Sequence, residues 1–388
     1  LIDDGHILGK NYIQVGLRGY WPGEDGFHWM RKNKMRYHTM AEIDLYFETM
    51  LENKASDLHL STGNPPIIRI NGELVRLDSP PLVHEELLAM LREMCPEDKM
   101  ARFEETGDVD FGYELPGKAR FRANFFSQKD GVAAVFRTIP SQVLTAEQLG
   151  LPGICQKFAK LTKGLVLVTG PTGSGKSTTL AAIIDYANKI RADHILTVED
   201  PIEFVHKSVK ALINHREVGL HTKSFGSALR GALREDPDII LVGEMRNVET
   251  ISAAVTAAET GHLVYSTLHT NDAAQTISRI VDSFPGSQQD QIRVQLASSL
   301  IAIFSQRLIP HIAGGLVPAY ELLINNTAVS NLIRENRIHE IPSVIETGLE
   351  QGMIDMNRSL ARLVQNGDIT VENAFTYASN PKGLERLI

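Results

Sequence analysis

The stretch GLVLVTGPTGSGKSTTL, residues 164–180, constrains this chain more than any other. An apolar run ends at Gly170, a loop of small residues follows, and Lys176 and Ser177 open a run with helical periodicity. Gly170, Gly175, Lys176 and Ser177 satisfy G-x-x-x-x-G-K-[ST] in the strand, loop, helix context that the pattern requires. The candidates for cradling a triphosphate are Gly170, Pro171, Thr172, Gly173, Ser174, Gly175, Lys176, Ser177 and Thr178. Glycines let backbone amides close around phosphate oxygens, Lys176 offers a point charge to the β- and γ-phosphates, and the Ser177 hydroxyl reaches Mg²⁺. ATP with Mg²⁺ is therefore the expected ligand, against the alternative of a glycine-rich turn opening an ordinary helix.

Such a loop belongs on a parallel sheet. GLVLVTG, HILTVED, DIILVGE and HLVYSTLHT are short apolar runs that end in small or polar residues and alternate with helical segments. The spacing predicts an α/β domain with a parallel sheet covered on both faces and its chemistry at the carboxyl ends of the strands. After about residue 290 the pattern reads as mostly helical.

Upstream, the helical spacing of Ile43, Tyr46, Phe47, Met50 and Leu51, a hairpin turning at Asn71-Gly72, a helix over about 84–104 and two strands around Asp130-Gly131 predict a smaller α+β domain. The expected division is 40–140 for that domain, 141–147 for a linker and 148–388 for the phosphate-binding domain. Residues 1–39 differ in composition, with both tryptophans, Trp21 and Trp29. They read as a foreign leader that packs loosely and adds nothing to catalysis, because a strand cut from its parent sheet has no backbone partner.

Composition narrows the function classes. Charged residues at 22% and hydrophobic ones at 43% describe a folded globular chain. No apolar run reaches the length of a membrane span, so the expected compartment is cytoplasmic. With only Cys95 and Cys155 there is no four-cysteine zinc site. The net charge of −8 gives no general footprint for nucleic acid, and no stable nucleic-acid partner is expected.

Hydrolysis needs a carboxylate near the γ-phosphate to activate water and acids to orient the metal shell. Glu244 ends the apolar run PDIILVGE; Glu199, Asp200 and Glu203 lie in TVEDPIEF, where Pro201 stops the strand. Taken alone, the acids of that second group read more often as a solvated loop. His262 and His269 flank a strand in ETGHLVYSTLHTND, with His269 at its carboxyl end, where a phosphate sensor belongs.

These segments together resemble one superfamily. GPTGSGKST, EDPIEF, REDPDIILVGEMR and ETGHLVYSTLHTNDA stand in the order of the Walker A loop, Asp box, Walker B strand and His box of the secretion ATPases. ASDLHLSTGNPPIIRINGELVRL, INHREVGLHTKSF and AVSNLIRE are similar, more narrowly, to the type IV pilus retraction ATPases, from about residue 40 to the end. The resemblance implies a RecA-like P-loop ATPase domain preceded by a PAS-like domain, assembled as a homohexamer at the inner face of the cell membrane. It implies work on an inner-membrane pilus platform protein, with pilus disassembly and twitching motility as the output.

By the same likeness Glu244 activates the attacking water, while Glu199 and Asp200, with Glu203 beside them, orient Mg²⁺ and its waters. His262 and His269 link the phosphate to a subunit interface, and Arg120, Arg122 and Arg137 approach the nucleotide from the N-terminal domain. For any single arginine a structural salt bridge is the competing reading. Two departures from the family wording are His215, where glutamine is usual, and Ser330, where arginine is usual.

Residues 1–40 separately resemble a fragment of the ureohydrolases around an IQIGLRG strand, but lack the D-x-H-x-D and D-x-D metal pattern, which excludes that activity. The other classes weighed are an extension, secretion or accessory motor of the same superfamily, a RecA-like nucleic-acid translocase, and a sensor that binds nucleotide without turnover. Lys176 and Glu244 together argue against the sensor.

Overall fold

Two compact units, Leu1–Pro140 and Ser141–Ile388, make up the computed structural model. It describes residues 42–70, 72–139 and 143–388, together with the backbone of two short strands, β1 (Ile13–Val15) and β2 (Arg36–His38). β1 and β2 pair in parallel, which corrects the expectation that a strand in the leader has no backbone partner. The rest of residues 1–39, including Trp21 and Trp29, lies outside the described residues.

The first unit carries a six-stranded antiparallel sheet in the order β5-β4-β3-β8-β7-β6. Its strands are β3 (Asp57–Ser61), β4 (Ile67–Ile70), β5 (Glu73–Arg76), β6 (Asp108–Leu115), β7 (Ala119–Gln128) and β8 (Gly131–Ile139). One face is apolar by strict alternation. Phe121, Ala123 and Phe125 of β7 point into a core where Phe47 of the helix Glu42–Glu52 stacks on Phe121 at 4.4 Å and meets Phe136 edge-on at 5.0 Å. The helix expected over 84–104 is two, His84–Met94 and Glu97–Thr106, because Pro96 cannot continue a helix and caps the second one. The strand β6, not read from the sequence, lies at the sheet edge.

The second unit is built on a seven-stranded sheet in the order β11-β10-β12-β13-β9-β14-β15. Its strands are β9 (Gly164–Thr169), β10 (His194–Glu199), β11 (Leu212–Glu217), β12 (Ile239–Val242), β13 (Leu263–Leu268), β14 (Leu300–Pro310) and β15 (Leu316–Ile324). All neighbouring pairs are parallel except β14–β15. The central strands β9, β12 and β13 are buried at every position, as a sheet covered on both faces requires. Leu165 and Leu167 of β9 enter a core with the helices Phe225–Ala232, Val248–Glu259 and Ala273–Asp282, while Val166 and Val168 enter another with the helix Lys176–Ile190.

Beyond residue 290 the chain is mostly helical as expected, but it also carries β14 and β15, a long hairpin not read from the sequence that extends the sheet on the far side of β9. Helices resume at Thr327, and the last three pack with Ile309 and Ala319 of the hairpin. Among the described residues no helix is long and apolar enough to cross a membrane.

Candidate active site

The loop after β9 is shaped by its glycines. Gly170 sits at φ +144°, and a Cβ there would lie 2.2 Å from the Gln306 carbonyl oxygen. Gly175, at φ +84°, ends the loop in the left-handed region and gives way to the helix Lys176–Ile190 without a side-chain cap. The first amides of that helix thus point into the loop, the arrangement that holds anions at helix N-termini. The Lys176 ammonium lies inside, donating to the carbonyl oxygens of Gly170 and Pro171, both at 2.9 Å. Burial lowers its pKa and Glu203 partly opposes this. Ser174 Oγ is buried with no hydrogen-bond partner. A ring of amides, an enclosed cation and an orphaned hydroxyl suit phosphate oxygens.

A residue that sequence reasoning missed holds this loop from behind. Gln306 of β14 is 2% exposed; its Nε2 donates to the Ser174 carbonyl and its Oε1 accepts from Thr179 Oγ1 at 2.7 Å. Next to it Thr169 Oγ1 donates to Ser305 Oγ at 2.8 Å. No motif marks these residues, because their partners lie more than a hundred positions away in the chain.

Glu244 follows β12 and His269 follows β13, so both stand at the same end of the sheet as the phosphate loop. His269 spans them: Nε2 is 3.4 Å from Glu244 Oε2 and Nδ1 is 3.5 Å from Thr172 Oγ1. Its pKa is lowered by burial and by the charges of Lys176 and Arg246. Arg246, not anticipated, ion-pairs with Glu244.

Glu199 is the last residue of β10 and is 8% exposed. Burial pushes its pKa up to about 7, with Glu203 and Glu217 adding to the rise and the Thr197 hydroxyl and Glu203 amide opposing it. The Glu203 N–H donates to Glu199 Oε2 at 3.3 Å. Asp200 is exposed, next along the chain. Glu199 and Ser177 line one cavity with Thr267 and His206, which brings a hydroxyl and a carboxylate to one side of the loop. Among the described residues no group of three or more His, Cys, Asp or Glu could hold a metal by itself.

Two further parts of the expected site are carried by other elements. His262 precedes β13 at its amino end, the end opposite the loop, and its Nδ1 lies 3.0 Å from the Ala257 carbonyl oxygen. The structure therefore does not bring it to the phosphates. Arg120, Arg122 and Arg137 belong to the first unit, all on the sheet face away from its apolar core. Arg122 and Arg137 are opposite each other across β7 and β8. Arg122 Nε donates to Asp110 Oδ2 at 2.9 Å and Arg137 Nε to Asp57 Oδ1 at 2.8 Å. Asp57 is buried, which raises its pKa, but the Ser56 hydroxyl and Arg137 outweigh this and hold it below the usual range. Ser330, at the family's arginine position, turns inward to the carbonyl oxygen of Ala297 and Oδ1 of Asn325, both at 3.0 Å.

A phosphate loop at the carboxyl end of a parallel sheet, with an acid and a histidine ending the neighbouring strands, defines a P-loop ATPase of RecA-like build. Residues 36–348 match the family described as type II/IV secretion system protein, and the chain belongs to that family. It is 53% identical over 328 residues to the type IV pilus retraction ATPase PilT of Pseudomonas aeruginosa, covering 84% of this chain and 95% of that one. It is 52% identical over 320 residues to the twitching motility protein of Neisseria gonorrhoeae, covering 82% and 86%. Among solved structures, that of the pilus retraction motor PilT with bound ADP superposes with a TM-score of 0.82 at 49% identity, covering 88% of this chain and 98% of that one.

Proposed function

We infer that this chain is an ATP-hydrolysing motor of type IV pilus retraction, which works as a homohexamer against an inner-membrane platform protein at the cytoplasmic face. The observation that carries the chemistry is the convergence of the phosphate loop, His269 and Glu244 at the ends of three adjacent strands, β9, β13 and β12. Lys176 and the loop amides hold the triphosphate, and Glu244 takes the proton of the attacking water. His269, within reach of both Thr172 and Glu244, reads whether a γ-phosphate lies between them.

Ser177, through its hydroxyl, with Glu199 and Asp200 through water, are the residues that would hold Mg²⁺. A site with so few protein ligands suits this ion, which keeps several waters and leans on substrate phosphates. When bound, the ion neutralises charge on the phosphates.

Arg120, Arg122 and Arg137 supply guanidinium groups to the phosphoryl group in the assembled ring, and their arrival couples hydrolysis to domain movement. Their common sheet face supports this reading. The test is deletion of the gene with counts of surface pili and a twitching assay. Retraction predicts more pili and no twitching; loss of pili identifies an extension motor instead.

A further inference from the structure

β10 and β11 run in parallel register, with Thr197 opposite His215 and Glu199 opposite Glu217. Because strand side chains alternate, all four belong to one face of the sheet. His215 Nδ1 is 4.0 Å from Glu199 Oε1, too far for a hydrogen bond, but 2.8 Å from Thr197 Oγ1. Thr197 and Glu199 stand two apart on that face, and the Thr197 hydroxyl is among the groups that hold the Glu199 carboxyl down against its burial. A hydroxyl has a single proton to give, so its direction of donation is set by which nitrogen of His215 carries hydrogen.

On the far side of the ring, the His206 backbone N–H lies 3.1 Å from His215 Nε2, nearer than the His206 carbonyl oxygen at 3.3 Å. An amide hydrogen aimed at Nε2 requires that nitrogen to be a bare acceptor, which leaves the proton on Nδ1. Nδ1–H then donates to Thr197 Oγ1, and the Thr197 proton is free to point at Glu199. The stacked His206 ring, 5.9 Å between centroids and 11° from parallel, keeps the His215 plane fixed.

We propose that His215 is a positioning residue for Glu199, acting through the Thr197 hydroxyl, with its tautomer set by the backbone amide of His206. The proposal rests on Glu199 as the carboxylate that orients the metal's water during hydrolysis. It gives the departure from glutamine at position 215 a chemical meaning: a glutamine side chain also offers one donor and one acceptor, so the same chain of hydrogen bonds runs through either.

The test uses the full-length protein and the variants E199Q, T197V, H215A, H215Q and T197V/H215A. Steady-state ATPase kinetics should show T197V and H215A with kcat lowered by about 10- to 100-fold, the range for groups that orient ligating carboxylates. KM for ATP should stay within about threefold, since the loop that binds phosphate is untouched. H215Q should recover most of the rate, and the double variant should be no slower than the slower single one, because both cut the same chain. Nitrogen-15 histidine NMR of the nucleotide-free protein should show His215 protonated on Nδ1, with that preference weakened in T197V. Should H215A lose its fold, T197V is isosteric and decides alone. T197V at the wild-type rate, or His215 protonated on Nε2, overturns the proposal while an inactive E199Q leaves the Glu199 reading standing. E199Q at the wild-type rate overturns both.

Discussion

Replacing Gln306 by alanine tests whether the phosphate loop is held from behind. Its amide is buried and spans two elements, giving a proton to the Ser174 carbonyl and taking one from the Thr179 hydroxyl, itself 1% exposed. Truncation leaves both groups without these partners, at about 1–3 kcal/mol for each buried polar group left unsatisfied. Thr179 can turn to a backbone carbonyl of its own helix, so a total of about 2–4 kcal/mol is the working figure. For a unit of this size that is a fall in melting temperature of roughly 5–15 °C. Some of the loss should appear in binding, because the Ser174 carbonyl is part of the loop; about 1.4 kcal/mol there is a tenfold weaker ATP affinity. Thermal melting with and without nucleotide, plus titration with a fluorescent ATP analogue, measures both. Gln306→Glu separates the two bonds, since it keeps the acceptor for Thr179 and removes the donor to Ser174. If Gln306→Ala melts within about 1 °C of the wild type and binds ATP equally well, the loop does not depend on β14.

Lys176→Ala should lose nucleotide binding, whereas Glu244→Gln should bind ATP and not turn it over; wild-type hydrolysis by Glu244→Gln in a phosphate-release assay would exclude it as the base. Arg122→Ala and Arg137→Ala should lower kcat more than they raise KM, and only in the assembled ring, which kinetics across the assembly transition would reveal. Glu321 gives a pH dependence: burial raises its carboxyl to about 7, Asp272 and Asp355 adding to this against the Ala273 amide and Arg307, from an ordinary value of 4.5. The folded chain therefore holds a proton that the unfolded chain releases, and about 3 kcal/mol of stability should be lost as pH rises from about 4.5 to about 7. Glu321→Gln keeps an acceptor for the Ala273 N–H, 2.9 Å away, and should melt higher than the wild type at pH 8 and little differently at pH 4.5. Equal pH slopes for the two proteins would show that Glu321 is ionised in the fold.

What was legible in the sequence follows from where apolar alternation and backbone geometry leave a mark. The strands β9, β10, β12 and β13 are mostly apolar and almost wholly buried because both faces are covered, and the glycines of the loop are spaced by the turn they must make. β14 escaped notice because Ser305, Gln306 and Arg307 interrupt its apolar run. Ser305 and Gln306 are polar for the sake of the loop, a purpose invisible without the partner. β11 escaped because LINHRE exposes Leu212 and carries polar groups on the face it shares with Glu199. β6 was readable, since Val109, Phe111 and Leu115 alternate toward the core, and only its short distance from the preceding helix obscured it. His262 and His269 flank β13 as read, and an extended strand that rises about 3.3 Å per residue sets them at its opposite ends. The arginines are the converse case, because residues 15 apart in the chain become neighbours through register.

The placing of β14 has a mechanical consequence. One continuous strand meets the end of β9 through Ser305 and the phosphate loop through Gln306, then runs on to Ile309, which is packed among the C-terminal helices, while Arg307 Nη1 reaches the Tyr377 carbonyl at 3.3 Å. An extended strand is already near its full length, and from Gln306 to Pro310 this one is paired along its whole course with β15. A displacement of the loop as phosphate contacts form and break should then pass lengthwise along this strand to the C-terminal helices. The load path of this motor, on that account, begins directly behind the chemistry.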